Sequence, residues 1–329
     1  MSRPRVSVLL PVRDEEPYLA ECLESLSGQT LSGFEVIVVD DGSSDASPAI
    51  AKDHARGDSR FRVVRQEQAG MVAASERARA EARAPLVARM DADDVAVPER
   101  LELQVAAIEE EGLAAVGGQV EYFPDPTDGM RDYAAWLNSL VTVDAALRDL
   151  WVECPLPGPG LTARAGLVSY RDRGWPEDYD LVLRIWEAGG RFRNVEALVH
   201  RWRDHPKRLT RTQPAYTLSA FRRCKVHFLR RTLLAGGRAA VVWGAGPTGK
   251  ALARELLAAG TPLAAFVEVD PRKLGKRIHG APVVPVERAG EFPGTLALGA
   301  VSGPEGRTRV RELTAELGLV EGRDFVAVA

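Results

Sequence analysis

The sequence predicts an α/β protein: a mostly parallel sheet covered by helices, followed by a second, smaller α/β unit. Three observations carry this. Between Val6 and Ala88, short apolar runs alternate with amphipathic stretches in β-α-β-α-β-α-β order. The second apolar run, Phe34 to Val39, lacks the in–out alternation of a half-exposed strand, as expected for one buried on both faces of a parallel sheet. Past Ala235-Gly236-Gly237, a strand–glycine turn–helix pattern begins afresh.

In order, Val6–Leu10 reads as a strand closed by Pro11 and the polar turn Arg13–Glu16. Leu19, Cys22, Leu23 and Leu26 then recur at helical spacing. Phe34–Val39 ends in Asp40-Asp41-Gly42-Ser43-Ser44-Asp45, a turn and helix-start signature. A helix from Pro48 to about Arg56, a strand at Phe61–Val64 and an Ala-rich helix over Ala73–Ala84 follow. A short strand over Pro85–Ala88 comes next. A helix over Pro98–Glu111 precedes short strands near Ala115–Gly117 and Val120–Phe123, and Pro124–Met130 reads as a loop. Cys154-Pro155-Leu156-Pro157-Gly158-Pro159-Gly160 cannot be regular structure and is expected to line or cross a site. Trp175-Pro176-Glu177-Asp178-Tyr179-Asp180 opens a further helix. The expected organisation is a first domain over 1–212, a basic helical linker over 213–237, and a second domain over 238–329.

The totals exclude several classes. The chain has 329 residues, 45% of them apolar and 27% charged, and a net charge of −3 that gives no signal for nucleic acid. Cys22, Cys154 and Cys224 are scattered and odd in number, which fits neither a disulfide framework nor a zinc site and points to a reducing compartment. The first apolar run ends too early for a signal peptide or a membrane span. A cytoplasmic protein is expected. The basic run Arg201, Arg203, Lys207, Arg208, Arg211, Arg222, Arg223, Lys225, Arg230 and Arg231 leaves two readings open: a connecting helix, or a peripheral contact with the inner membrane face or an anionic acceptor.

Asp91, Asp93 and Asp94 crowd behind the strand at residues 85–88. Like charges this close repel, and a hard divalent cation with oxygen ligands resolves the conflict. An acidic turn capping the next helix is the alternative. In a parallel sheet, the clusters Pro11–Glu15, Asp40–Asp45 and Asp91–Asp94 all follow strands and must meet at one edge, where ligands bind. That convergence favours the metal. Glu177, Asp178 and Asp180 fall in a helix first turn, where the helix dipole by itself accounts for acids.

In the second unit, the strand Ala239–Trp243 leads into Gly244, Gly246 and Gly249 and a helix over Lys250–Ala259. Glu268 follows the next strand, Leu263–Val267. The glycines allow a phosphate to approach the helix N-terminus and the acid could hold a ribose hydroxyl, so a bound nucleotide and a purely structural role both stay open. No side chain suited to hydride chemistry lies nearby.

The residues Val6–Ser47 and Ala88–Gln104, in this order, resemble the family 2 glycosyltransferases, GT-A fold enzymes that move a sugar from a nucleotide-sugar donor with inversion. The resemblance covers about Val6 to Thr212. It implies that Pro11, Val12, Arg13 and Glu15 contact the nucleotide and that Asp40 and Asp41 form the acidic pair near the base, with Gly70 on the donor side. It further implies that Asp91 lies near ribose and metal, and that Asp93 binds Mg²⁺ or Mn²⁺ across the diphosphate. Glu177-Asp178 matches the family's Glu-Asp motif, with Asp178 as base and Glu177 as a positioning contact, and His205 falls where some relatives place a metal-binding histidine. Ser75-Glu76 stands where many relatives carry an Asn or Arg-Asn pair, and the loop Pro155–Gly160 lacks a histidine that relatives often show. Val242–Gly249, Phe266–Gly275 and Gly280–Val283 resemble the small Rossmann-like domains at the front of sugar-nucleotide acyltransferases.

The expected function is metal-dependent sugar transfer from a nucleotide-sugar donor to a glycan or lipid-linked acceptor, in cell-surface glycan or polysaccharide synthesis. A non-catalytic nucleotide-sugar sensor is the second reading. A sugar nucleotidyltransferase trails, because Pro11–Glu16 is acidic and glycine-free where a triphosphate needs a glycine-rich basic loop.

Overall fold

The structure, a computed structural model, describes residues 3–329. The chain forms two compact units. One comprises residues up to Leu147 together with Cys154–Arg173 and Glu177–Thr212, and the other comprises Arg148–Glu153, Gly174–Pro176 and Gln213–Ala329. Residues 213–237, expected as a linker, fall within the second compact unit.

In the first unit, β1 (Val6–Val12), α1 (Leu19–Ser27), β2 (Phe34–Asp41), α2 (Ser47–Gly57), β3 (Phe61–Gln66), α3 (Met71–Glu81) and β4 (Leu86–Arg89) follow the predicted alternation. After them come β5 (Val95–Ala96), α4 (Arg100–Glu111), β6 (Ala115–Phe123), α5 (Asp128–Asn138), α6 (Val143–Arg148), β7 (Thr162–Arg164), α7 (Glu177–Glu187), β8 (Phe192–Arg203) and α8 (Leu209–Thr212). The eight strands form one sheet in the order β3-β2-β1-β4-β7-β6-β8-β5. β3, β2, β1 and β4 are parallel, while β7 runs antiparallel to both β4 and β6. Val6, Val8, Leu10, Val36 and Val38 of β1 and β2 pack with Leu19, Leu23 and Leu26 of α1 in the main core.

β1 continues through Pro11, which the sequence suggests as its end. A proline is tolerated there because β4 pairs with β1 only as far as Leu9, so one flank at Pro11 needs no ladder donor. The two short strands expected around Gly117 and Gly118 are one strand, carried past a register shift by its parallel pairing with β8. α5 lies partly in the expected loop. Thr127 caps it through the Met130 amide, and Ala134 and Leu137 bury against Val120 and Trp202.

The second unit is built on α9 (Leu218–Arg231), β9 (Ala240–Trp243), α10 (Pro247–Ala258), β10 (Leu263–Val267), β11 (Arg277–Ile278), β12 (Ala281–Val284), β13 (Leu296–Gly299), α11 (Pro304–Glu316) and β14 (Phe325–Ala327). Its sheet order is β11-β12-β10-β9-β13-β14, parallel except for the β11–β12 hairpin. This is a small Rossmann-like arrangement. A Cβ on Gly249 would sit 1.9 Å from the Gly244 carbonyl oxygen, so helix and strand approach this closely only with glycine. Gly249→Ala is expected to destabilise this unit by about 1–3 kcal/mol, seen as a lowered thermal midpoint of the full chain. An unchanged midpoint would show that the turn relaxes freely. Among the described residues, no helix is long and apolar enough to cross a membrane.

Candidate active site

The parallel pairing of β2, β1 and β4 sends the loops after Val12, Asp41 and Arg89 to one edge of the sheet. Two of these loops are latched together. The Asp14, Glu15 and Glu16 amides donate to Ser43 Oγ, Ser47 Oγ and Asp45 Oδ2 at 3.1, 2.9 and 2.9 Å. In return, the Ser44 and Ala46 amides donate to Asp14 Oδ1 and Glu16 Oε2 at 2.7 and 3.1 Å.

Of the expected donor-side residues, Asp40 Oδ1 accepts from the Ser43 amide (2.9 Å) and Asp40 Oδ2 lies 3.2 Å from Arg65 Nε. Asp41 clamps the loop ahead of α3: its oxygens accept from Gln66 Nε2 (2.7 Å) and from the Ala69 and Gly70 amides (both 2.8 Å). The Val12 side chain is packed in the apolar core, so only its backbone is available to the edge. Arg13 is exposed beside Asp14, and Pro11 is half-buried. Ser75 is fully buried and donates to the Met71 carbonyl, while Glu76 pairs with Arg79 and accepts from the Tyr170 amide.

Asp91, Asp93 and Asp94 offer carboxylate oxygens within 4.8 Å of one another. Asp94 is buried, accepting from His200 Nε2 and from the Arg203 amide at 2.8 Å each. His200 Nδ1 faces Arg100 Nη1 at 3.2 Å, so the imidazole is the neutral Nε2–H tautomer; burial, then Arg100, holds its pKa well below the ordinary value. Arg203 also donates from Nε to the Asp93 carbonyl (2.8 Å) and pairs with Glu21. His205 Nε2 lies 2.9 Å from Asp93 Oδ2, bringing together two expected metal ligands 112 residues apart.

Burial and mutual repulsion raise the proton affinity of the carboxylates at this edge. Burial, then Asp94 and Asp91, pushes Asp93 up to about 6. Burial, then Asp91, pushes Asp94 up to about 8. Burial, then Asp93 and Asp91, pushes Glu15 up to about 8. Carboxylates held this close resist ionising together even with Arg89 on Asp91, and a hard divalent cation with oxygen ligands relieves that penalty. The oxygen ligands of Asp91, Asp93 and Asp94 therefore suit a hard divalent cation such as Mg²⁺ or Mn²⁺, with His205 adjoining through Asp93. Arg208 adds a half-buried guanidinium. It lies over the Tyr122 and Trp202 rings, and the charges of Asp94 and Asp93 help hold its pKa above the usual value against the cost of burial.

On the other side, the three acids opening α7 separate by their partners. Asp180 pairs with Arg184 at 2.7 Å and is buried; Glu177 is buried, 3.5 Å from Arg89 Nη1. Asp178 is half-buried and accepts the Tyr179 amide on Oδ1 at 2.7 Å. A Cβ on Gly158 would fall 2.5 Å from Asp178 Oδ2, so the glycine gives that carboxylate its place against the Pro157–Gly160 turn. Arg100 Nη2 and Gln104 Nε2 hold this turn from beneath through the Pro159 and Gly160 carbonyls at 3.0 and 2.6 Å, and Asn194 Nδ2 holds Pro155 O at 3.0 Å. Arg89, Arg100, His200 and Arg203 were not singled out by the sequence as site residues. The one available signal was Arg89, at the end of the otherwise apolar, buried run Leu86–Ala88.

In the second unit, Gly244, Gly246 and Gly249 form the turn into α10. Glu268 is buried; its carboxylate accepts from the Ala245, Val269 and Asp270 amides and lies 2.8 Å from Lys273 Nζ.

A model of the family "Glycosyl transferase family 2" matches residues 7–158. EpsH of Bacillus subtilis is 49% identical over 73 residues, 22% of this chain; that stretch spans 21% of EpsH, about a fifth of its length. The crystal structure of S. aureus TarS 1–349 in complex with UDP-GlcNAc superposes with a TM-score of 0.55 at 19% identity, covering 69% of this chain and 66% of that one. The mannosyltransferase PcManGT of Pyrobaculum calidifontis, in complex with GDP-Man and Mn²⁺, gives 0.52 at 21% identity over 79% and 76%. At these identities the likeness establishes the fold, GT-A. With that fold and the strand-edge motifs in order, residues 7–158 of this chain are similar to glycosyl transferase family 2.

Proposed function

We propose that the protein transfers a sugar from a nucleoside-diphosphate sugar to an acceptor hydroxyl, with inversion at the anomeric carbon. The observation that carries this reading is the gathering of Asp91, Asp93 and Asp94 at the edge of the parallel sheet, with His205 beside Asp93 and Asp178 on a separate element. UDP-GlcNAc in TarS and GDP-Man in PcManGT support a nucleotide-sugar donor.

In this mechanism the acceptor oxygen attacks the anomeric carbon as the bond from that carbon to the diphosphate oxygen breaks. Asp178 takes the acceptor's proton, and a nucleoside diphosphate leaves. Asp91 and Asp93, with Asp94 and His205 beside them, would hold a divalent cation, which would supply positive charge to the leaving diphosphate. Arg208 adds a fixed positive charge on that side, and the latched loops Arg13–Glu16 and Ser43–Ser47 form the nucleotide rim. Glycan or polysaccharide synthesis on a glycan or lipid-linked acceptor is the setting this chemistry suits.

For the second unit we favour a scaffold over a nucleotide site. The acid that would hold a ribose is already engaged by the Ala245 amide and Lys273.

Calorimetric titration of the full chain with UDP-, GDP- and dTDP-sugars, with and without Mn²⁺, tests both readings. Mn²⁺-dependent binding of one donor class is expected, together with release of its nucleoside diphosphate. Metal-independent binding without turnover would replace transfer with a sensor role and return the nucleotide to the second unit.

A further inference from the structure

Arg89 ends β4 with only 4% of its side chain exposed. Its Nε and Nη2 both reach Asp91 Oδ1, at 3.0 and 2.8 Å, while Nη1 lies 3.5 Å from Glu177 Oε1. The guanidinium sits over the Tyr170 ring, 5.4 Å from its centroid, and Nη2 touches Met71 Sδ at 3.0 Å. One planar cation thus joins a carboxylate of the acidic cluster to the first residue of α7, next to Asp178. The backbone of the same residue makes a second tie: the Arg89 carbonyl accepts from Arg100 Nη2 (2.5 Å), and that nitrogen also reaches Pro159 O in the turn against which Asp178 rests.

We propose that Arg89 is a positioning residue that couples the two halves of the site, orienting Asp91 on the donor side and, through Glu177, setting Asp178 on the acceptor side. The inference rests on the reading of Asp91 as a metal-side ligand and Asp178 as the base. A lysine cannot replace Arg89 in this geometry, because a single ammonium on a flexible stem cannot hold two carboxylates at fixed angles as a planar fork does. The positive charge also has a cost. It lies against a cluster that would bind a divalent cation, so it opposes metal affinity while supporting geometry.

These two effects have opposite signs, which makes the inference testable. In the full chain, Arg89→Gln is expected to tighten Mn²⁺ binding, titrated calorimetrically with the metal alone, by about tenfold. It is expected to slow nucleoside diphosphate release from the nucleotide sugar that binds, with water as acceptor, by about thirtyfold. Arg89→Lys should keep wild-type Mn²⁺ affinity and still lose turnover. Glu177→Gln, which cuts the other end, should leave Mn²⁺ affinity within about twofold and lose turnover to a similar extent, and it serves if Arg89→Gln does not fold. Combining Arg89→Lys with Glu177→Gln should be no worse than either alone.

Weakened Mn²⁺ binding in Arg89→Gln, wild-type turnover in Arg89→Lys, or losses that multiply in the double variant would each overturn the coupling role. An unmodified chain that binds neither Mn²⁺ nor any nucleotide sugar would instead overturn the transferase reading, and the inference with it.

Discussion

Asp178→Asn is expected to bind donor and metal as the unmodified chain does and to lose transfer by a factor of about 10²–10⁴, the usual contribution of a positioned general base. The substitution keeps shape and the Tyr179 amide bond while removing proton affinity, so it separates position from chemistry. The neighbouring acids are poor replacements. Asp180 is buried against Arg184 and Glu177 is buried near Arg89, so each carboxylate is already engaged by a guanidinium. The check is a paired measurement of donor affinity and of the rate of nucleoside diphosphate release. Full transfer by the variant would move the base to one of those two residues. Lost donor affinity would show that Asp178 belongs to the donor site.

Asp93→Ala is expected to abolish Mn²⁺-dependent donor binding, weakening it by about a hundredfold or more, since it deletes a carboxylate ligand outright. The change removes a carboxylate and also releases His205, whose Nε2 is 2.9 Å from it, so two candidate ligands are disturbed together. Metal-free donor affinity should fall much less. Calorimetry with and without Mn²⁺ separates the two effects, and an unchanged Mn²⁺ response would return the acidic cluster to a structural role.

Much of the first unit was legible because its signals are local. The four parallel strands carry their own apolar runs, and a parallel sheet leaves no choice about where the loops after Val12, Asp41 and Arg89 must go. The convergence of Asp91–Asp94 with Glu15 therefore followed from element order. What was not legible depends on partners far away in sequence. Arg89 reads as an oddity in a buried strand until Glu177, 88 residues on, is beside it. Arg100 reads as an ordinary helix residue until Pro159 O and the His200 ring close around it. α5 escaped because its weak apolar stripe gains meaning only against Val120 and Trp202. Val12 and Asp41 make the complementary point. A motif position fixes a residue at the edge, but the packing decides whether its side chain faces ligand, core or its own loop.

The reciprocal bonds between the loops at Asp14–Glu16 and Ser43–Ser47 bear on how tightly and how fast a donor can be held. A flexible rim would have to be ordered by each arriving ligand, and that lost freedom would be subtracted from affinity. Here the ordering is complete when the chain folds. If these loops form the nucleotide rim as proposed, recognition there is closer to docking against a rigid template than to folding around a guest, and free and bound backbones should superpose closely.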